Sequence, residues 1–135
     1  MTITWNEVKD LLMAESTNAS RTYNVDRVSH FEDIVIDDQA ADSLHPLWRE
    51  ATSKLAEKMH EFLTGAVLAD NSAQYVFANT EPVGAESNAK MYIVNYMMAY
   101  WLGNVRPDYQ KQYLDKANFE MDDLLRKVYK KEAPV

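Results

Sequence analysis

The stretch MYIVNYMMAYWL, residues 91–102, constrains the fold more than any other part of the sequence. Every position in it is apolar or aromatic except Asn95, although the flanking sequence is rich in charge. A helix that crosses a membrane needs roughly 20 apolar residues, and this stretch is far shorter. A helix that is apolar on all sides is otherwise one that protein surrounds. We therefore predict no membrane span and a central buried helix over residues 86–102, ended at Gly103-Asn104 by a left-handed turn.

Two amphipathic helices could enclose this central helix. Between residues 39 and 63, apolar side chains recur at steps of three and four. We expect this helix to begin at Ser43, with Pro46 in its first turn, and to stop at Gly65. A last helix should begin at residues 106–108, where a proline suits the first turn, and continue to about Lys131. Its predicted buried seam is Leu114, Ala117, Met121, Leu124 and Val128.

The N-terminal residues predict a short helix. Thr4 and Glu7 have the spacing of a capping box, in which a hydroxyl and a carboxylate satisfy each other's backbone amides. The helix should bury Trp5, Val8 and Leu12, and the polar run ESTNASR, residues 15–21, should end it. Two short strands are predicted further on, DIVID at residues 33–37 and QYVFA at residues 74–78.

Together these patterns predict a mainly α protein, a small helical bundle around a central apolar helix. If DIVID and QYVFA pair, they add a short two-stranded β ribbon, which must lie against the helices because an isolated ribbon is marginal in water. A chain of 135 residues is long enough to bury one core. We expect a single domain, residues 1–135, with a short basic C-terminal tail, KVYKKEAPV.

Charge and cysteine content limit the classes of partner. With 14 Lys plus Arg against 21 Asp plus Glu, the formal charge is -7, which is the wrong sign for holding phosphate backbones. We therefore expect no sequence-specific nucleic acid binding. The sequence has no cysteine for disulfides or thiolate metal sites, and its first residues lack the pattern of a secretory signal. Both features favour a cytoplasmic location.

Residues suited to catalysis or metal binding do not form a recognisable motif. Acid-x-x-His spacings occur at Asp42 to His45 and at Glu57 to His60, whereas di-iron bundles carry one such pair on each of two helices. Here both pairs lie on one predicted helix, more than about 20 Å apart, so a shared metal site is not expected. His30 and its acidic neighbours lack a nucleophile partner or a glycine-rich phosphate loop. We predict no catalytic residue, no metal site, no cofactor and no enzymatic activity.

The methionines and tyrosines of the central helix have two interpretations. Thioethers and aromatic rings line hydrophobic ligand pockets, but a helix wrapped by protein explains the same residues without a ligand, and we favour the core. Buried phenols need hydrogen-bond partners, which favours a rim or subunit contact for part of this surface. Asn95 is either a satisfied core amide or a contact that fixes register. The other residues concerned are Met91, Tyr92, Tyr96, Met97, Met98 and Tyr100.

The last helix carries side chains that indicate a protein interface. Phe119 lies about 180° from the buried seam, so it either packs between layers or meets another chain. Tyr109 and Tyr129 flank the seam, and aromatic residues with polar tips are favoured at interfaces. The helix ends in cations that suit an acidic neighbour, although pairing with acids one turn earlier accounts for much of their pattern. The candidate interface residues are Tyr109, Phe119, Arg126, Lys127, Tyr129, Lys130 and Lys131.

One block combines several of these features: AKMYIVNYMMAYWLGNVRPDYQKQYLDKANFEMDDLLRKVYKK, residues 89–131. It contains the near-continuous apolar helix, a turn at Gly103, the pair Tyr113 and Ala117, and the pair Leu124-Leu125. In these respects it resembles the C-terminal half of head-to-tail connector, or neck adaptor, proteins of tailed bacteriophages. The preceding segment, LWREATSKLAEKMHEFL, is similar to the first long helix of that family. The resemblance implies a small helical subunit of a ring through which genomic DNA passes.

From this resemblance we expect a structural assembly protein, a phage or prophage virion neck or head-tail connector subunit that forms an oligomeric ring. Its partners would be further copies of itself and a portal or neighbouring neck or tail protein. Its location would be the virion, after assembly in the host cytoplasm. An acidic lumen would repel phosphates and let DNA slide. The alternative is a small acidic helical protein-binding or regulatory module without catalytic activity.

Overall fold

The computed structural model describes residues 1–23 and 35–132, and these form a mainly α structure, as predicted. In chain order the elements are β1 (Thr2–Thr4), α1 (Trp5–Tyr23), α2 (Asp38–Ser43), α3 (His45–Lys58), β2 (Leu63–Leu68), β3 (Ser72–Phe77), α4 (Ala85–Val105) and α5 (Gln110–Glu132). Short 3-10 helices, His60–Phe62 and Pro107–Tyr109, precede β2 and α5. Among the described helices, none combines the length and apolar character that crossing a bilayer requires.

The apolar stretch forms the central helix, α4, which α1, α3, α5 and β1 contact. Met97 and Met98 are fully buried in the core, as the core interpretation of these methionines predicts. The hydroxyl of Tyr96 donates a hydrogen bond to Glu50 Oε1 at 2.5 Å, and burial, followed by this contact, raises the pKa of the phenol. Tyr100 is exposed, so one side of the helix reaches the surface. Its buried residues are Ala85, Asn88, Ala89, Tyr92, Ile93, Val94, Asn95, Tyr96, Met97, Met98, Ala99 and Leu102.

The predicted capping box is present at the start of α1. Thr4 Oγ1 accepts from the backbone amide of Glu7 at 3.3 Å, and Glu7 Oε1 accepts from the backbone amide of Thr4 at 3.2 Å. The predicted end of this helix at residues 15–21 is wrong, because α1 continues to Tyr23. The hydroxyls of Ser16 and Thr17 each donate a hydrogen bond to the carbonyl oxygen of Met13, so these polar side chains have partners within the helix.

The predicted long helix over residues 39–63 is divided. Pro46 lies in the first turn of α3, as expected, and a separate short helix, α2, precedes it. The predicted stop at Gly65 is wrong: α3 ends at Lys58, and Gly65 lies in β2, beside an irregularity in strand register. In the sequence LTGAVL, Thr64 and Val67 favour a strand and Gly65 disfavours a helix, and pairing with β3 satisfies the backbone hydrogen bonds of this segment.

A three-stranded antiparallel sheet, in the order β1-β3-β2, replaces the predicted two-stranded ribbon. Most of QYVFA lies in β3, as predicted, but it pairs with residues 2–4 and 63–68. The predicted strand DIVID is wrong for its described residues, 35–37, which have no regular structure, and its first two residues lie outside the described part. Ile36 is instead a buried anchor whose amide donates to Ser16 Oγ at 2.8 Å, and Asp37 caps α2.

The predicted left-handed stop at Gly103-Asn104 is also wrong. Helix α4 continues to Val105, and Arg106 N donates to Leu102 O at 2.6 Å. Gly103 instead allows close approach of the Gln110 side chain, since a Cβ there would lie 2.7 Å from Gln110 Nε2. The left-handed glycine is Gly84, with φ of 87°, at the start of the helix. A Cβ at Gly84 would meet Lys127 Nζ at 2.9 Å.

The buried seam of α5 differs from the predicted seam at one position. Leu114 is exposed, and Tyr113 occupies the corresponding core position, with its hydroxyl donating to Glu15 Oε1 at 3.0 Å. Residues three and four apart share a helix face, so both positions were compatible with the seam, and the packing of α5 on α4 and α1 buries Tyr113. The observed seam is Tyr113, Ala117, Met121, Leu124 and Val128.

Candidate protein interface on the last helix

Polar contacts fix the orientation of α5 on α4. Asn88, which is buried near the start of α4, donates to Glu120 Oε2 at 2.7 Å and to Asp123 Oδ2 at 3.1 Å. Lys127 Nζ donates to Asn88 Oδ1 at 2.6 Å. The Asn88 amide, followed by the Lys127 ammonium, lowers the pKa of the Asp123 carboxyl. Because these contacts and the apolar seam act together, the outer face of α5 presents its side chains in a defined direction.

Two large aromatic side chains stand on this outer face. Phe119 is 64% exposed and Tyr129 is 70% exposed. The ring of Tyr129 meets that of Phe62 edge to face, with 6.5 Å between centroids, so Phe62 holds it in place. Aromatic side chains in fixed positions on a surface are the type of residue that anchors protein interfaces.

Phe119 borders a groove between α1, α4 and α5, which we call the acidic groove. Its volume is about 430 Å³. Three carboxylates and one ammonium surround an apolar and amide floor, so the lining has a net negative charge. The floor is contributed by α4 and the rim by α1 and α5. The lining residues are Glu15, Met91, Asn95, Asp115, Lys116, Phe119 and Glu120.

Asn95 is the unusual member of the acidic groove. Its side chain is 4% exposed, yet among the described residues no hydrogen bond to its amide occurs. A buried amide without a partner costs about 1–3 kcal/mol relative to one that is paired. Of the two interpretations of Asn95 made from the sequence, the satisfied core amide is therefore not observed. The amide is available to a group that enters the groove.

The acids of the groove are already oriented by contacts within the chain. Glu15 accepts from Tyr113, and Asp115 accepts from Lys111 Nζ at 2.8 Å. The Lys116 ammonium lies 4.3 Å from the centroid of the Tyr113 ring and 4.0 Å from Glu15 Oε1. These contacts place the carboxylates around the rim without neutralising them all.

A second surface, which we call the tyrosine patch, lies further along α5. It consists of Asp122, Leu125, Arg126 and Tyr129 and borders an open space of about 510 Å³. The guanidinium of Arg126 is exposed and contacts Asp123 Oδ1 at 3.2 Å, in place of the contact with Asp122 that a spacing of four suggests. At about 100° per residue, the centre of the tyrosine patch lies about 100° around α5 from that of the acidic groove.

The structure separates the seven interface residues predicted from the sequence. Phe119 lies at the acidic groove, whereas Arg126 and Tyr129 lie together in the tyrosine patch. Tyr109 is partly buried, with the guanidinium of Arg106 4.5 Å from its ring centroid, and Lys127 contacts Asn88 and Asp123. The side chains of Lys130 and Lys131 lie outside the described part. Sequence reasoning considered Met91 and Asn95 only as residues of the central helix. It missed Glu15, Asp115, Lys116 and Glu120 as site residues, because only the packing of three helices brings them together.

The histidines considered for metal binding have other surroundings. His45 stacks on Trp5 at 4.3 Å between centroids, and its Nε2 lies 2.5 Å from the carbonyl oxygen of Asp70. Arg49 forms an ion pair with the carboxylate of Asp70, so this end of α3 binds the β2–β3 turn. No group of three or more His, Asp or Glu side chains able to hold a metal occurs in residues 1–23 and 35–132. His30 lies outside these residues.

No family model matches the chain, and no match was found among curated proteins or solved structures.

Proposed function

We propose that this protein is a structural assembly subunit that associates with further copies of itself through α5. The observation that carries the proposal is the exposure of Phe119 and Tyr129 at 64% and 70% on a helix whose orientation is fixed. Large aromatic side chains that remain mostly exposed on their own chain are typical of interface anchors. Both were candidates from the sequence, Phe119 for its angle from the buried seam and Tyr129 as an aromatic residue with a polar tip beside the seam.

The two surfaces support head-to-tail association. The two surfaces differ in their lining residues and face different directions around α5. When the acidic groove of one copy contacts the tyrosine patch of another, the first copy keeps a free tyrosine patch and the second a free acidic groove. Such a contact is heterologous and continues until a ring closes or a filament grows. A ring is the closed form, which suits a virion neck.

The phage context of the proposal comes from the resemblance over residues 89–131. It supports a neck adaptor, or head-tail connector, that docks on a portal or a neighbouring neck or tail protein and resides in the virion after assembly in the host cytoplasm. The formal charge of -7 supports a lumen through which DNA moves without adhering. This function requires no catalytic residue and no cofactor.

The alternative, a small acidic binding module without catalytic activity, is favoured by one observation. The unpaired amide of Asn95 in the acidic groove would also suit a segment of a different protein. This alternative predicts a monomer or a dimer that does not grow further with concentration, whereas the leading proposal predicts continued self-association.

Replacing Phe119 with serine should weaken self-association at least tenfold while leaving the thermal midpoint of unfolding within about 2 °C, because the ring contributes little to the core. Size-exclusion chromatography with light scattering over a concentration series measures the first effect. The wild type should exceed the monomer mass of 15.6 kDa as concentration rises. Val83 is 92% exposed and outside both surfaces, so Val83→Ser is the matched control and should associate normally.

Two results would count against the proposal. A wild-type mass that remains at 15.6 kDa up to millimolar concentration would favour the binding module. A loss of several degrees in the thermal midpoint of a monomeric Phe119→Ser variant would show that the ring stabilises its own chain.

A further inference from the structure

We propose that Asn95 is the residue that determines which segment docks in the acidic groove, and that the occupant is the tyrosine patch of a second copy. In this arrangement the Tyr129 side chain of one subunit enters the acidic groove of the next, where its hydroxyl meets the Asn95 amide. The inference rests on the proposed self-assembly and specifies its contact.

The first step of the argument is that the groove is built to receive a polar group. Asn95 is 4% exposed in an otherwise apolar stretch, where leucine would avoid the cost of an unpaired amide. Its amide carries both donors and an acceptor, and the residue lines a space of about 430 Å³. Met91 and Phe119 provide apolar surface beside it. An entering group that combines an aromatic ring with a hydroxyl would satisfy all of these at once.

The second step identifies the occupant from charge and chemistry. The acidic groove carries three carboxylates against one ammonium. Three cations flank Tyr129 in the sequence, Arg126, Lys130 and Lys131, whereas Lys127 is engaged by Asn88 and Asp123 of its own chain. Tyr129 supplies the ring and the hydroxyl and is held outward by Phe62, so little conformational entropy is lost on docking. The chain therefore carries both the acidic groove and a segment that complements it.

In the docked arrangement each group has a partner of suitable chemistry. The phenol and the amide can each donate to the other, and the Tyr129 ring can pack against Phe119. The Arg126 guanidinium of the entering subunit can pair with a rim carboxylate such as Asp115 or Glu120, which adds a contribution sensitive to salt.

The test is a double-mutant cycle on self-association, with Asn95→Leu, Tyr129→Phe and the combination, measured by sedimentation velocity. Each single change should weaken association by about tenfold, because it leaves one buried polar partner without the other. The double variant should associate no more weakly than either single variant, since both polar groups are then absent. Tyr100→Phe, at an exposed phenol outside the acidic groove, is the control and should not change association.

The thermal stability of the Asn95→Leu monomer provides an independent measurement, which should not fall when association weakens. Asn95→Leu removes an unpaired buried amide, so the thermal midpoint of the monomer should stay the same or rise while association weakens. Tyr129→Phe changes only an exposed hydroxyl and keeps the protein folded, so the cycle retains an informative arm if Asn95→Leu misfolds.

The outcomes separate this inference from the proposed function. If the wild type assembles and Phe119→Ser disrupts assembly, but Asn95→Leu and Tyr129→Phe have no effect or have additive effects, the inference is overturned and the assembly function stands. If the wild type is monomeric at all concentrations, both are overturned. Non-additive loss in the cycle, with an unchanged Tyr100→Phe control, supports the inference.

Discussion

Replacing Trp48 with alanine is expected to lower the free energy of unfolding by about 3–5 kcal/mol, measured by urea denaturation. Trp48 is 1% exposed, and its ring meets that of Trp5 edge to face with 6.0 Å between centroids. Its Nε1 donates to the carbonyl of Ala69 at 3.0 Å, which ties α3 to the β2–β3 turn. The substitution therefore leaves a cavity and also removes the partner of a backbone carbonyl.

The matched control for Trp48→Ala is Glu57→Ala, an exposed position on the same helix. Surface substitutions of this kind usually change stability by less than about 0.5 kcal/mol. A Trp48 variant as stable as the Glu57 variant would contradict the packing of α3 against the sheet.

Replacing Ile93 with alanine should lower the free energy of unfolding by about 2–5 kcal/mol, because Ile93 is fully buried on α4 and its loss leaves a cavity. The same denaturation experiment measures the effect. Ser87→Ala, at an exposed position of α4, preserves the helix and should leave stability nearly unchanged. Equal stability of the two variants would mean that other helices do not enclose this one.

The sequence predicted those parts of the fold in which a long apolar pattern dominates. The stretch around Ile93 is apolar in every direction, and only burial on all sides accommodates such a helix. The errors lie where a local signal competed with tertiary structure. Residues 15–21 have the composition of a loop, but they lie in α1. There the hydroxyls of Ser16 and Thr17 donate to the carbonyl oxygen of Met13, and the Ser16 hydroxyl accepts from the amide of Ile36. Gly65 lies in a strand, and Gly103 allows the Gln110 side chain to approach the backbone of α4. Sequence spacing does not distinguish either role from a helix stop.

The candidate site was predictable to a similar extent. Phe119 was found because its angle from the seam follows from sequence position alone, and Tyr129 because it is an aromatic residue with a polar tip beside the seam. The acidic groove was not found, since Glu15 and Asn95 meet α5 only after three helices have packed. The one available signal was Asn95 itself, the single polar residue in an apolar stretch.

Cross-linking tests the head-to-tail contact most directly. The sequence has no cysteine, so Lys116→Cys in the acidic groove and Asp122→Cys in the tyrosine patch each introduce a single thiol. A mixture of the two variants, treated with a short bismaleimide and mapped by mass spectrometry, should yield mainly dimers linked from position 116 to position 122. A chain with both thiols should give a ladder of higher oligomers. Dimers linked mainly between like positions, or no cross-linked species at concentrations where the wild type associates, would contradict head-to-tail assembly through α5.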